Sequence, residues 1–150
     1  VEKLVLAVTL CQPNETSKSV ISNWLLLAKE KDFKQIFIDT AEKTYTERKL
    51  KTYRPFYSIL SKLTEPKNLD RFIIQATACL THNALDEISK IQCPTFVIGG
   101  DNDKIVGSSS SCELANHIAQ SKLKIYNGLG HSTYEEAKDF NSQVLSFFDN

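Results

Sequence analysis

Pro94-Thr95-Phe96-Val97-Ile98-Gly99-Gly100-Asp101-Asn102-Asp103-Lys104-Ile105-Val106 is the stretch that decides how this chain folds. Thr95 to Ile98 is a short apolar run without polar alternation, the pattern of a strand buried on both faces of a parallel sheet. Gly99-Gly100-Asp101 ends it and opens an acidic loop. Ser108 to Ala119 then reads as a helix, with Leu114, Ala115 and Ile118 facing inward. Leu123 to Tyr126 reads as a further strand, stopped by Asn127-Gly128-Leu129-Gly130. A last helix is predicted from about Thr133, with Tyr134, Ala137, Phe140, Val144, Phe147 and Phe148 at helical spacing.

Upstream, Leu4 to Leu10 is another β-branched and aliphatic run, broken by Gln12-Pro13-Asn14. From Ser17 the period changes. Val20, Ile21, Trp24, Leu25 and Ala28 recur at helical spacing, with Thr16 or Ser17 as N-cap. Phe33, Ile36, Phe37, Thr40 and Ala41 repeat the signal. Between Glu42 and Leu63 the pattern weakens, and Pro55 argues against one unbroken helix. Pro66 can open a helix carrying Leu69, Phe72, Ile73 and Ala76. A shorter helix follows with Leu85 and Ile88. Residues 16–90 therefore read as consecutive helices, and the order is strand, helical insert, strand, helix, strand, helix. That predicts α/β architecture with a narrow, three-stranded parallel sheet and flanking helices.

The composition fits one domain. The chain has 150 residues, 41% hydrophobic and 24% charged, enough to bury about 70% of its unfolded surface. Lys+Arg and Asp+Glu both number 18, so no basic excess points to nucleic acid or an anionic membrane. Residues 29–71 hold 11 Lys+Arg and 7 Asp+Glu with Tyr45, Tyr53 and Tyr57 between them, but a solvated helix surface is the plainer account. No apolar run approaches the roughly 18–20 residues of a membrane span. Val1-Glu2-Lys3 leads into a strand-like run without an Ala-x-Ala-like cleavage site, so no secretory leader is expected in these residues. The chain has no Met and opens inside a structural element, which suggests that residues precede it. Cys11, Cys79, Cys93 and Cys112 form no CxxC pair, so no zinc or thioredoxin-like motif is expected. Three of them lie in apolar or strand-edge contexts and read as small buried hydrophobes, which fits a reducing cytoplasm.

Reactive groups in such sheets collect beyond the carboxyl ends of the strands. That rule selects Asp103, in the loop after Ile98, and His131, in the loop Gly128-Leu129-Gly130-His131-Ser132. Adjacent parallel strands lie about 4.8 Å apart, so these loops can bring a carboxylate to an imidazole. Such a pair holds the histidine in one tautomer and stabilises its protonated form, as general-base catalysis requires. Two readings compete: Asp103 as a cap of its own loop, and Asp101 as the acid. His82 and His117 lie in helical patterns and read as structural. The acidic loop 101–103 has no second ligand cluster nearby, so neither a metal nor a cofactor is expected.

These residues, with Gly130-His131-Ser132 and the Phe-ended terminal helix, resemble the C-terminal half of an α/β-hydrolase. The resemblance is specific over residues 91–150. It implies residues 1–15 as core strand and loop, 16–80 as a variable helical cap, and 81–150 as C-terminal core. It also implies Asp103 as triad acid and His131 as triad base, following a serine in chain order. The Gly-x-Ser-x-Gly turn that carries this serine is missing. Gly107 to Ser111 lacks the closing glycine and follows the acid, while Cys11 lacks the glycine-flanked turn. The resemblance therefore implies a C-terminal fragment of a hydrolase of a small ester, thioester, lactone or similar bond, inactive alone. Its partners would be a small-molecule substrate and either the missing N-terminal half or a second copy across the first strand, with no nucleic acid and no membrane. Trp24, Phe37, Tyr53 and Phe56 are candidate pocket-lining residues, with core packing as the competing account. A non-catalytic binding module on a hydrolase scaffold is the alternative function.

Overall fold

The computed structural model describes residues 1–149. Its strands are β1 (Leu4–Ala7), β2 (Thr95–Gly100) and β3 (Ser121–Tyr126), all parallel in the order β1-β2-β3. Leu4 pairs with Thr95, and Thr95 with Ser121. The central strand is buried at every position, with Phe96, Val97 and Ile98 at most 1% exposed. Burial of each stabilises the fold by about 1.5–3 kcal/mol. Val97 packs with Cys11, Ile88, Leu114 and Ile118 on one side of the sheet. Phe96 lies against Phe147 with ring centroids 5.5 Å apart. This two-sided burial is why the run lacks polar alternation.

Between β1 and β2 come α1 (Glu15–Lys29), α2 (Phe33–Thr44), α3 (Glu47–Tyr53), α4 (Tyr57–Leu63), α5 (Asp70–Thr81) and α6 (Leu85–Ile88). Pro55 sits in a single 3₁₀ turn, Arg54–Phe56, that separates α3 from α4. Helix α1 packs on α2 and α5, and α2 on α4. Ala41, Leu50 and Tyr57 form a second core inside this helical block. Arg54 clamps it from outside, holding Glu42 through two hydrogen bonds of 2.8 and 2.7 Å and reaching Glu47 as well. The remaining helices are α7 (Ser110–His117), α8 (Thr133–Glu136) and α9 (Phe140–Asp149). Among the described residues, no helix is long and apolar enough to cross a membrane.

Several expected boundaries move. β1 stops at Ala7 because Val8 takes a left-handed conformation, φ 44°, which a β-branched residue in a strand cannot hold. The cap of α1 is Asn14, not Thr16 or Ser17: its side chain accepts from the Ser17 amide while the Ser17 hydroxyl accepts from the Asn14 amide. Helix α5 begins at Asp70, four residues after Pro66. The terminal helix is two helices, interrupted where Ala137 turns extended. Of the four free cysteines only Cys11 is buried, and Cys79 is exposed.

Candidate active site

Asp103 follows β2 by three residues, and its own loop holds it. One carboxylate oxygen accepts the amides of Ile105 (2.8 Å) and Val106 (3.0 Å), an Asx-type turn that leaves the second oxygen uncommitted to backbone. That second oxygen lies 2.9 Å from Nδ1 of His131. The Asp103 side chain is 2% exposed and that of His131 24%. Water is thus kept from the carboxylate while the far edge of the ring stays accessible. With Nδ1–H donated to the carboxylate, Nε2 is left as an acceptor able to take a proton.

Asp101 is elsewhere. It is exposed, and its carboxylate accepts the Gly128 amide at 2.7 Å. Its part is to tie the β2 loop to the β3 loop. The amides of Asp101 and Asn102 add further ties, to the carbonyls of Tyr126 and Leu129. Gly100 makes this approach possible: a Cβ there would stand 2.2 Å from the Leu129 carbonyl oxygen. His82 and His117 are both exposed, and the latter binds the Glu113 carbonyl of its own helix.

A buried polar cluster fixes the other side of the histidine loop. The Ser132 amide and hydroxyl both donate to the Thr44 carbonyl, and the hydroxyl also meets the Glu136 carboxylate at 2.7 Å. That carboxylate accepts from the Thr46 amide (2.9 Å) and hydroxyl (2.6 Å). Burial pushes the Glu136 carboxyl upward, but the bonds from Thr46 and Ser132, with Arg48 nearby, outweigh it and hold the group below the ordinary carboxylate range. The loop of His131 is therefore bolted to the end of α2. These residues escape a reading of the sequence because Glu136 looks like one more polar position on an amphipathic helix. The only signal is that Ser132 and Glu136 are spaced to meet across one helical turn.

His131 opens onto two cavities, one of about 770 Å³ among α1 to α4 and one of about 460 Å³ toward α5. Trp24, Phe72 and Ile105 border both with it. Phe37 and Tyr53 also line the larger. Phe56 does not line either and is 53% exposed, since the 3₁₀ turn points it outward. Among the described residues, no group of three or more His, Cys, Asp or Glu gathers as a metal site.

The family described as serine aminopeptidase, S33 matches residues 3–138. The 2-hydroxy-6-oxononadienedioate/2-hydroxy-6-oxononatrienedioate hydrolase 2 of Pseudomonas putida is 32% identical over 89 residues, which are 57% of this chain and 31% of that protein. Among solved structures, MGS-M2, an α/β-hydrolase from a Medee basin deep-sea metagenome library, superposes with a TM-score of 0.87 at 22% identity, over 99% of this chain and 56% of its own. The enol-lactonase of Burkholderia xenovorans LB400 gives 0.84 at 17% identity, over 100% of this chain and 57% of its own. The chain thus spans little more than half of the solved proteins that share its fold, and its match spans about a third of the curated relative.

Proposed function

Because this chain belongs to the serine aminopeptidase, S33 family of α/β-hydrolases, we propose that it supplies the acid and base of a Ser-His-Asp hydrolase. The substrate class is a small ester, thioester, lactone or similar bond. The 2.9 Å contact between Asp103 and His131, at the mouth of two cavities, carries this reading. The nucleophilic serine comes from polypeptide outside these 150 residues, since no Gly-x-Ser-x-Gly turn occurs within them.

In the acylation step His131 Nε2 removes the hydroxyl proton as the serine oxygen attacks the carbonyl carbon. The resulting imidazolium is stabilised by Asp103, and Nε2 then returns the proton to the departing oxygen. A water takes the serine's place in the second half and releases the acid. The amides that would hold the oxyanion also lie outside the chain. Residues 16–80 act as the roof of the pocket. β1 has a sheet neighbour on one side only, so the missing strand, or a second copy, completes it. Four free thiols fit a reducing compartment, the cytoplasm.

The test compares the 150-residue chain with the encoded polypeptide extended upstream through the nucleophile strand, on p-nitrophenyl acetate. The longer form should hydrolyse it, His131→Ala should abolish turnover, and the short chain should be inert. Equal rates for the longer form and its His131→Ala variant would remove the reading. The second reading is a non-catalytic binding module on the hydrolase scaffold, which would use the same two cavities. It predicts ligand binding by both forms and turnover by neither.

A further inference from the structure

We propose that Trp24 is a specificity-determining wall between two chambers of one substrate site, and that the substrate carries an uncharged apolar group on each side of the bond that is broken. The inference rests on the hydrolase reading for the bond and on the cavities for everything else. The two cavities have four bordering residues in common, Trp24, Phe72, Ile105 and His131. Three are apolar and form the partition, and the fourth is the base. A scissile bond beside His131 would therefore send one substituent into about 770 Å³ and the other into about 460 Å³, each within the range of small-molecule sites.

The chambers carry no formal charge. No Lys, Arg, Asp or Glu among the described residues lines either. Among the tyrosines of the larger chamber, burial raises Tyr45 and Tyr134, and burial with the bond to Glu42 pushes Tyr57 up to about 12. Besides His131, the smaller chamber holds only Cys79 and His82 as titratable side chains. A carboxylate placed against either set of walls would meet no cation among them. The dianionic compound named for the Pseudomonas putida relative is thus a poor match for these walls.

The partition is also held in place. The Trp24 indole N–H donates to the Asp39 carboxylate at 2.6 Å, and Lys43 pairs with the same carboxylate. Because Asp39 sits one helix away on α2, it locks the indole across the gap between α1 and α2. Asp39 is a positioning residue and Trp24 the one that touches substrate.

Trp24 is the single tryptophan of the chain, so its emission reports occupancy directly. N-Benzylbutanamide, neutral and apolar at both ends, should shift that emission saturably, and adipate should not at tenfold higher concentration. Equal affinity for the two probes overturns the claim about charge. In the nucleophile-bearing polypeptide, Trp24→Ala should raise kcat/KM for phenyl octanoate relative to phenyl acetate by about tenfold or more, the scale at which pocket size discriminates methylenes. Asp39→Asn should move the ratio in the same direction by less. A ratio within one variant is independent of how much of it folds, and Trp24→Leu repeats the test with a better-filled core. An unchanged ratio in both overturns the wall. Saturable amide binding without turnover of any ester would instead sink the hydrolase reading and leave the chambers standing.

Discussion

The carbonyl oxygen of Leu129 occupies the space that a side chain on Gly100 would need, 2.2 Å from the ideal Cβ position. The end of the central strand and the loop of its neighbour touch backbone to backbone there. That contact sets the 2.9 Å approach of His131 to Asp103. Gly100→Ala must displace a main-chain carbonyl, because no flexible side chain is available to yield. We expect a loss of about 1–3 kcal/mol by urea denaturation, the usual cost of overpacking. The helical block is untouched, so binding of a neutral probe at Trp24 should survive while the imidazole N–H resonance shared with Asp103 is altered.

Asp103→Asn separates support from chemistry. The Asn oxygen can keep both amide bonds, from Ile105 and Val106, so the loop should hold and melting should change little. Its amide nitrogen then faces Nδ1 of His131 and donates to it. The ring must move its proton to Nε2 and can no longer act as base. In the nucleophile-bearing form, kcat should fall on the order of 10⁴-fold, the cost of the wrong tautomer in such triads. Melting unchanged with activity unchanged would remove Asp103 from the mechanism.

The strand–Asp103 unit is legible in the sequence because a doubly buried strand is a continuous apolar run that here ends at Gly99-Gly100, and the strand–His131 unit because Gly128 and Gly130 punctuate the loop after the edge strand β3. The rest is written in tertiary contacts. Apolar spacing continues from Tyr134 through Phe148 across the break at Ala137, so periodicity alone reads one helix. Asn14, Thr16 and Ser17 are all residue types that cap helices, so composition alone does not single out Asn14. The chambers depend on how α1 packs against α2 and α5, which no local pattern encodes, and the outward rotation of Phe56 follows from a 3₁₀ turn that its sequence spacing does not show.

Glu136 makes the fold sensitive to acid. Its carboxyl lies below the ordinary range in the folded chain, so it binds protons less readily there than when unfolded. Its stabilising contribution is complete above the ordinary carboxylate range and is lost as pH falls through the lowered value. Glu42, held down by Arg54 and Tyr57, adds to the same limb. Glu136→Gln keeps one acceptor and turns an amide toward Thr46 and Ser132. It should cost about 2 kcal/mol near neutrality, the scale of a hydrogen bond to a charged group, and flatten the acid side of a plot of urea midpoint against pH. A variant whose acid limb matches the parent would place that dependence elsewhere.

The two edges of the sheet differ in how they resist pairing. β3 carries Lys122 and Lys124 at alternate positions, the second bound to Asp139, and charged edge residues discourage a further strand. β1 is Leu4-Val5-Leu6-Ala7, with no charge in the strand. The Leu4 and Val8 amides both point toward β2. Period-2 alternation therefore directs those of Val5 and Ala7 away from it. The 150-residue chain should consequently elute from a sizing column later on dilution, as an associating species does. Val5→Lys should shift it toward monomer, whereas removing charge from the opposite edge by Lys122→Thr should increase association. A concentration-independent monomer for the parent chain would show that β1 is protected by something other than a pairing strand.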